Sequence, residues 1–129
     1  MRSSAREAVF TYIFSRLFNQ SDEGLFDVLC KNLNKDDGAF ARDLLRAVTD
    51  GEEKYSERIN ELSVNFKPER IHLADKCAIT LGMAELDAFA DTPTAVIIDE
   101  AVKLAVKFST ENSADFVNGI LAKYAEKRG

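Results

Sequence analysis

Nearly every segment of this 129-residue chain places its apolar residues at the three- and four-residue spacing of an α-helix. No segment shows the alternation of apolar and polar residues, bounded by turn residues, that is typical of a half-buried β-strand. Two prolines and six glycines are also too few for a loop-rich β protein. The sequence therefore predicts an all-α protein, a compact bundle of six or seven helices.

Residues that commonly begin helices divide the chain into these elements. The first helix is predicted over about Ser4 to Asn19. The helix that follows Pro93 is apolar almost all round, so we expect it to lie at the centre of the bundle. The later helices are predicted to begin near Ser21, Pro68, Thr92–Pro93 and Ser113.

The extent of the third helix depends on one glycine. Residues 34–38 form a turn-like cluster before it. Gly51 either ends this helix or lies inside a longer one that reaches Phe66, because a single glycine costs a helix only about 1 kcal/mol relative to alanine. We predict one domain over 1–129, with a division into subdomains 1–66 and 67–129 as a further prediction.

The composition is that of a folded soluble domain, with 46% apolar and 30% charged residues. No apolar run approaches the roughly 18 residues of a membrane-spanning helix, and the first residues do not resemble a signal peptide. Cys30 and Cys77 have no closely spaced cysteine partner, so we expect both to be reduced. These features predict a cytoplasmic protein that does not contact membranes.

The charge is unevenly distributed along the chain. A formal net charge of −5 and a pI near 4.9 argue against nucleic-acid binding, because neutralising phosphates requires basic residues. The first 20 residues nevertheless contain Arg2, Arg6 and Arg16 against a single acid, Glu7. A local site for an anionic partner is therefore compatible with an acidic average.

Residue types that carry out catalysis are sparse in this sequence. His72 is the only histidine, and neither cysteine stands at metal-ligand spacing from it. The glycines do not form a phosphate-binding loop. The adjacent acids Glu52–Glu53 and Asp99–Glu100 are predicted to be solvated. We expect no enzymatic activity, no metal and no cofactor.

Several longer stretches carry a specific resemblance. The most specific is FVNGILAKYA at 116–125, which follows PTAVIIDEAVKLAV at 93–106. With AREAVF at 5–10, FARDLLRAV at 40–48 and ADKCAITLGMAEL at 74–86, these stretches stand in the order and spacing of one family. Over nearly its whole length the chain resembles the NusB family of bacterial transcription antitermination factors.

This resemblance implies both a fold and a function. The implied fold is two small helical bundles packed together. Family members bind the boxA element of nascent ribosomal-RNA transcripts together with NusE, a small-subunit ribosomal protein, and so help RNA polymerase elongation complexes to resist termination. Some members pair with a second copy of themselves, so a homodimer is a further expected assembly.

The resemblance also implies an RNA-binding set of residues: Arg2, Arg6, Phe14, Asn112 and Phe116. The two arginines are four residues apart and therefore share one helical face, and guanidinium groups suit both phosphates and base edges. An aromatic ring at Phe14 or Phe116 could stack on an unpaired base, although core packing is the alternative for both. Asn112 stands where relatives commonly have an acid, which removes one repulsive charge.

Three further features bear on this site. Ser3 and Ser4 occupy positions where many relatives have arginine, which lowers the positive field. On the same helical row as Phe14, Phe10 is assigned to the core. A structural role is the alternative for Gly119, where the glycine is expected to allow a close approach between helices.

The partner surface is implied by two acids. Glu69 and Asp75 align with acidic positions that face NusE in the family, where they would steer a basic ribosomal protein. Two other functions are compatible with the residues. One is a protein-interaction module with little RNA binding of its own, and the other is a stand-alone relative of the RNA-binding domain of ribosomal-RNA cytosine methyltransferases.

Overall fold

The computed structural model describes residues 2–17, 23–63 and 71–128. Within these residues the secondary structure is entirely helical, which confirms the predicted all-α class. The predicted starts at Ser21 and Pro68 lie outside the described residues. The described residues form six helices: α1 (Arg2–Arg16), α2 (Glu23–Leu29), α3 (Lys35–Leu62), α4 (Leu73–Ala88), α5 (Thr94–Phe108) and α6 (Ser113–Arg128).

The third helix follows the longer of the two predicted alternatives and ends at Leu62. It begins at Lys35, inside the predicted turn, because the Asn34 side chain caps it by accepting a 2.8 Å hydrogen bond from the Asp37 backbone N–H. Gly51 does not break it. A Cβ at this position would collide with the Tyr55 ring one turn later, so glycine makes room for that ring within the continuous helix.

The central helix is α4, not α5 as predicted. α4 packs against α1, α3, α5 and α6, and its residues 77–79 and 81–86 are all buried. α5 instead leaves Val96, Val106 and Phe108 between 38% and 44% exposed. The face of α5 that points away from the core therefore also carries apolar side chains, which is why this helix is apolar almost all round. None of the described helices combines the length and apolar character required to cross a membrane.

The buried residues of α1, α3, α4, α5 and α6 belong to one continuous hydrophobic cluster, which Phe26 of α2 joins. This cluster extends across the predicted boundary between residues 66 and 67, and the subdomain division stays a prediction. Phe10 is 1% exposed within the cluster, in agreement with its predicted place in the core.

The close approach expected at Gly119 occurs instead at Gly82. A Cβ on Gly82 would lie 2.7 Å from a methyl group of Leu121 and 3.4 Å from the Cβ of Ala101. A Cβ on Gly119 would meet nothing within 4 Å. The glycine in the middle of α4 therefore brings α5 and α6 close to the central helix.

Replacing these two glycines by alanine should have opposite effects. We expect Gly82→Ala to lower the free energy of unfolding by about 1–2 kcal/mol, because overpacking outweighs the gain in helix propensity. Gly119→Ala should raise it by about 0.5–1 kcal/mol through propensity alone. Urea unfolding of both variants measures these values, and equal stabilisation by the two alanines would contradict the packing assigned to Gly82.

The carboxylate of Asp87 connects α4 to α3 and α6 through hydrogen bonds. Asp87 Oδ2 accepts hydrogen bonds from the Tyr124 hydroxyl at 2.7 Å and from the Tyr55 hydroxyl and Lys54 Nζ at 3.0 Å each. Burial raises the pKa of Asp87, but the donors Tyr124, Lys54 and Tyr55 outweigh it and hold the pKa below its ordinary value. The ionised form of Asp87 therefore stabilises the junction of α3, α4 and α6.

This junction should weaken in acid. Because the folded-state pKa of Asp87 lies below its unfolded value of about 3.9, its contribution is complete above that pH and is lost as the pH falls through the folded value. Asp87→Asn should be less stable than the wild type at pH 7 and should lose less stability between pH 5 and pH 2. Thermal unfolding across this range checks the prediction. The exposed Asp91→Asn is the control, and a wild-type-like acid profile for Asp87→Asn would contradict it.

Candidate functional site

The N-terminal helix is attached to the bundle through a buried ion-pair network. The side chain of Arg6 is only 5% exposed and faces the core from α1. Its Nε and Nη2 donate to the two carboxylate oxygens of Glu85 on α4, at 2.7 and 2.5 Å. Its Nη1 donates to Glu100 Oε1 on α5 at 3.0 Å. One guanidinium thus connects three helices.

The network contains more negative than positive charge. Glu100 also accepts a hydrogen bond from the Ser3 hydroxyl, and its second oxygen lies 3.7 Å from Lys103 Nζ. Desolvation lowers the pKa of Arg6, but the hydrogen bonds and charges of Glu85 and Glu100 outweigh it, so the net pKa is raised. Arg6 therefore remains a cation, and the outer carboxylate is compensated by groups at the protein surface.

The environments of Arg6 and Glu100 differ from those predicted from the sequence. Arg6 was expected to present its guanidinium to RNA, yet all three of its guanidinium nitrogens are engaged by carboxylates inside the protein. Glu100 was expected to be solvated, and its side chain is only 13% exposed. One sequence feature could have predicted the buried network: Glu85 is an acid within the apolar stretch ITLGMAEL, and a buried carboxylate requires a cation nearby.

Removing the central cation should destabilise the fold. We expect Arg6→Ala to lower the free energy of unfolding by about 3–5 kcal/mol, because it leaves Glu85 buried without its partner. Arg16 is on the same helix as Arg6 and forms an exposed ion pair with Glu52 of α3, so Arg16→Ala should cost less than about 1 kcal/mol. Denaturant unfolding compares the two, and similar small losses would show that the Arg6 network is not needed for stability.

A groove between α1 and α5 lies directly over this network. It is lined on one side by Ser3, Arg6 and Glu7 and on the other by Glu100, Lys103, Leu104 and Lys107, with a volume of about 180 Å³. Lys103 and Lys107 are 68% and 59% exposed, and Lys107 forms a 2.5 Å ion pair with Glu7 across the groove. We call this the α1–α5 groove.

Aromatic side chains of the same two helices, α1 and α5, lie beside this groove. The rings of Phe10 and Phe108 stack with centroids 4.9 Å apart, and Phe14 meets Phe10 edge-on at 5.8 Å. Phe14 is half-buried and Phe108 is 40% exposed. Lys107 Nζ lies 5.3 Å from the centroid of the Phe108 ring. Cations and aromatic rings thus stand next to each other along α5. Lys103, Lys107 and Phe108 were not among the residues predicted from the sequence to be functional.

The other residues of the predicted RNA-binding set lie at the start of α1, in the turn before α6 and in the first turn of α6. Arg2 is exposed, stacks over the Phe40 ring at 4.5 Å and donates to the Thr92 hydroxyl at 3.3 Å. Asn112 is exposed in the turn between α5 and α6. Phe116 is half-buried and packs against the core. The structure therefore brings Arg2 and Arg6 over one aromatic ring, since Arg6 is also 5.3 Å from the Phe40 centroid.

Of the two acids predicted to face a protein partner, the structure describes one. Glu69 lies outside the described residues. Asp75 is 4% exposed, and among the described residues its Oδ1 has no hydrogen-bond partner. The prediction assumed an accessible acid, whereas this carboxylate lies below the surface in the first turn of α4.

Groups capable of metal or nucleophilic chemistry are dispersed. Among the described residues, no three His, Cys, Asp or Glu side chains lie together as metal ligands would. His72 is exposed immediately before α4. Cys30 and Cys77 are free thiols, and burial raises the pKa of Cys77 to about 12. Cys77 therefore stays protonated at neutral pH.

Comparison with known proteins agrees with the resemblance seen in the sequence. The model of the NusB family matches residues 3–126. The transcription antitermination protein NusB of Natranaerobius thermophilus is 34% identical over 98% of this chain and 95% of its own length. That of Pseudothermotoga lettingae is 36% identical over 97% of this chain and 91% of its own.

Solved structures show the same fold. T. maritima NusB superposes with a TM-score of 0.90 at 29% identity, covering 98% of this chain and 92% of its own. A chain in the crystal structure of the antitermination factors NusB and NusE in complex with double-stranded RNA gives a TM-score of 0.85 at 25% identity, covering 98% and 96%. Sequence, fold and near-complete coverage lead to one conclusion: the chain belongs to the NusB family.

Proposed function

We propose that this chain is a transcription antitermination factor of the bacterial cytoplasm. It binds boxA-type RNA together with NusE and thereby helps RNA polymerase elongation complexes to resist termination, without catalysing a reaction. Relatives of near-equal length carry the name of transcription antitermination proteins, and one related chain was crystallised with NusE and double-stranded RNA.

The observation that carries the proposal is the α1–α5 groove. Its rim holds two exposed lysines, Lys103 and Lys107, and the same helix pair presents the rings of Phe14 and Phe108. Basic side chains that follow a backbone, with aromatic rings for its bases, are what single-stranded RNA requires. The groove supplies this combination although the whole chain carries a formal charge of −5.

Within the proposal, Arg6 acts as a positioning residue. Its ion pairs hold the first turns of α1 against α4 and α5, which fixes the direction in which the exposed Arg2 points. Arg2 then contacts phosphate, while Phe14 and Phe116 offer ring surface and Asn112 offers its amide. Contact between RNA and the Arg6 guanidinium would first require one of its carboxylate partners to leave.

NusE is proposed to bind on the side of Glu69 and Asp75. The Oδ1 of Asp75, which meets no donor in the described part of the chain, is a hydrogen-bond acceptor that a basic side chain of NusE would satisfy. This contact needs a small local opening, because Asp75 is 4% exposed. A homodimer through the same surfaces would compete with both partners.

The proposal is tested by fluorescence anisotropy with labelled RNA, with and without NusE, over a series of salt concentrations. Three RNAs are compared: a single-stranded boxA-type sequence, its scrambled version and a duplex of the same length. We expect the boxA strand to bind selectively and more tightly with NusE. Equal binding of all three RNAs under both conditions would leave a protein-interaction module and overturn RNA recognition as the function.

Replacing Arg2 distinguishes a direct contact with phosphate from a general effect of the protein's charge on RNA binding. Arg2→Gln should weaken RNA binding and reduce the slope of log K against log salt by about 0.7–0.9, the change expected for one lost phosphate contact. Arg46→Gln removes another exposed arginine, on α3 and outside the lining of the groove, and should change neither quantity by more than the error. An unchanged salt slope for Arg2→Gln would exclude Arg2 from the interface.

A further inference from the structure

An apolar cavity interrupts the surface between α1 and α5, beside the α1–α5 groove. It has a volume of about 200 Å³ and opens to solvent. Its lining consists of Phe10, Thr11, Phe14, Ser15 and Phe108. Three of these five side chains are aromatic, so the cavity has the walls of a stacking site instead of a hydrogen-bonding pocket.

The rings are held in a fixed arrangement. Phe10 is 1% exposed and forms the buried floor, on which Phe108 stacks with an interplanar angle of 24°. Phe14 stands edge-on to Phe10 at 65° and closes one wall. Because Phe108 remains 40% exposed, part of this ring faces solvent and is available to a flat ligand. Leaving that surface in water is unfavourable, and covering it would be stabilising.

The surrounding charges indicate what kind of flat ligand fits. Lys107 lines the groove next to the cavity and lies 5.3 Å from the Phe108 ring, and Lys103 is one turn earlier on α5. A ligand with an aromatic plane and a negative charge on either side of it would use both features. A nucleotide within an RNA strand has this chemistry.

We infer that the cavity formed by Phe10, Phe14 and Phe108 receives one unpaired RNA base, with Lys103 and Lys107 holding the adjacent phosphates. This inference rests on the proposed function, because it assumes that RNA runs along the α1–α5 groove. It assigns to this chain a single-base site and a reason to prefer a single strand. A base within a duplex has both faces covered by its neighbours, so its ring cannot enter the cavity.

The experiment uses the full chain with Phe108→Leu, which keeps an apolar side chain but removes the ring. Single-stranded boxA-type RNA should bind about 5- to 150-fold more weakly, the range associated with stacking one base on an aromatic side chain. The salt slope should not change, since no phosphate contact is lost. Duplex binding should be unaffected. Val106→Ala, on the exposed part of α5 outside the cavity, is the matched control.

Abasic nucleotides locate the base. One abasic position in the strand should weaken binding to the wild type, and the same RNA should cause no additional loss with Phe108→Leu. Phe14→Leu provides a second variant, and thermal unfolding shows whether each variant is folded. Equal effects of every abasic position on both proteins would overturn the base site while leaving RNA binding intact. Absence of RNA binding by the wild type, with and without NusE, would instead overturn the proposed function and the base site together.

Discussion

The buried pairing of Arg6 with Glu85 and Glu100 is the interaction on which the candidate site depends. Burying three charges is costly, and such a network is retained only where its geometry is well satisfied. Here the guanidinium fixes the start of α1 on both α4 and α5, at 2.7 and 3.0 Å respectively. The two walls of the α1–α5 groove therefore keep their spacing because one side chain joins both of them to the central helix.

The same network shapes the electrostatics of the groove. Two carboxylates against one guanidinium leave an excess negative charge on Glu100, which Lys103 partly compensates at the surface while the Ser3 hydroxyl donates a hydrogen bond to it. Glu7 also forms an ion pair with Lys107 across the groove. A phosphate would have to compete with these acids, so the groove offers a modest field and an aromatic surface more than a strong positive potential. Such a site suits recognition of RNA shared with a second protein.

Prediction from sequence succeeded where the signal is local. Helical periodicity predicted the all-α class and the order of the motifs indicated the family. The structure confirms the first and the family match confirms the second. Prediction failed where a residue's role depends on its neighbours in space. The apolar helix α5 was expected at the centre, and the close helix approach was expected at Gly119 instead of Gly82. Both errors concern which face meets which helix, and helical spacing alone carries no such information.

The sequence by itself determined the helices and the family, because periodicity and motif spacing are properties of the chain alone. It also placed an arginine pair at one end of an acidic protein. Only the tertiary structure decided that Arg6 points inward while Arg2 stays exposed, because that depends on Glu85 and Glu100, 79 and 94 residues further along the chain. In the same way, Phe10, Phe14 and Phe108 become one cavity only when α5 packs against α1.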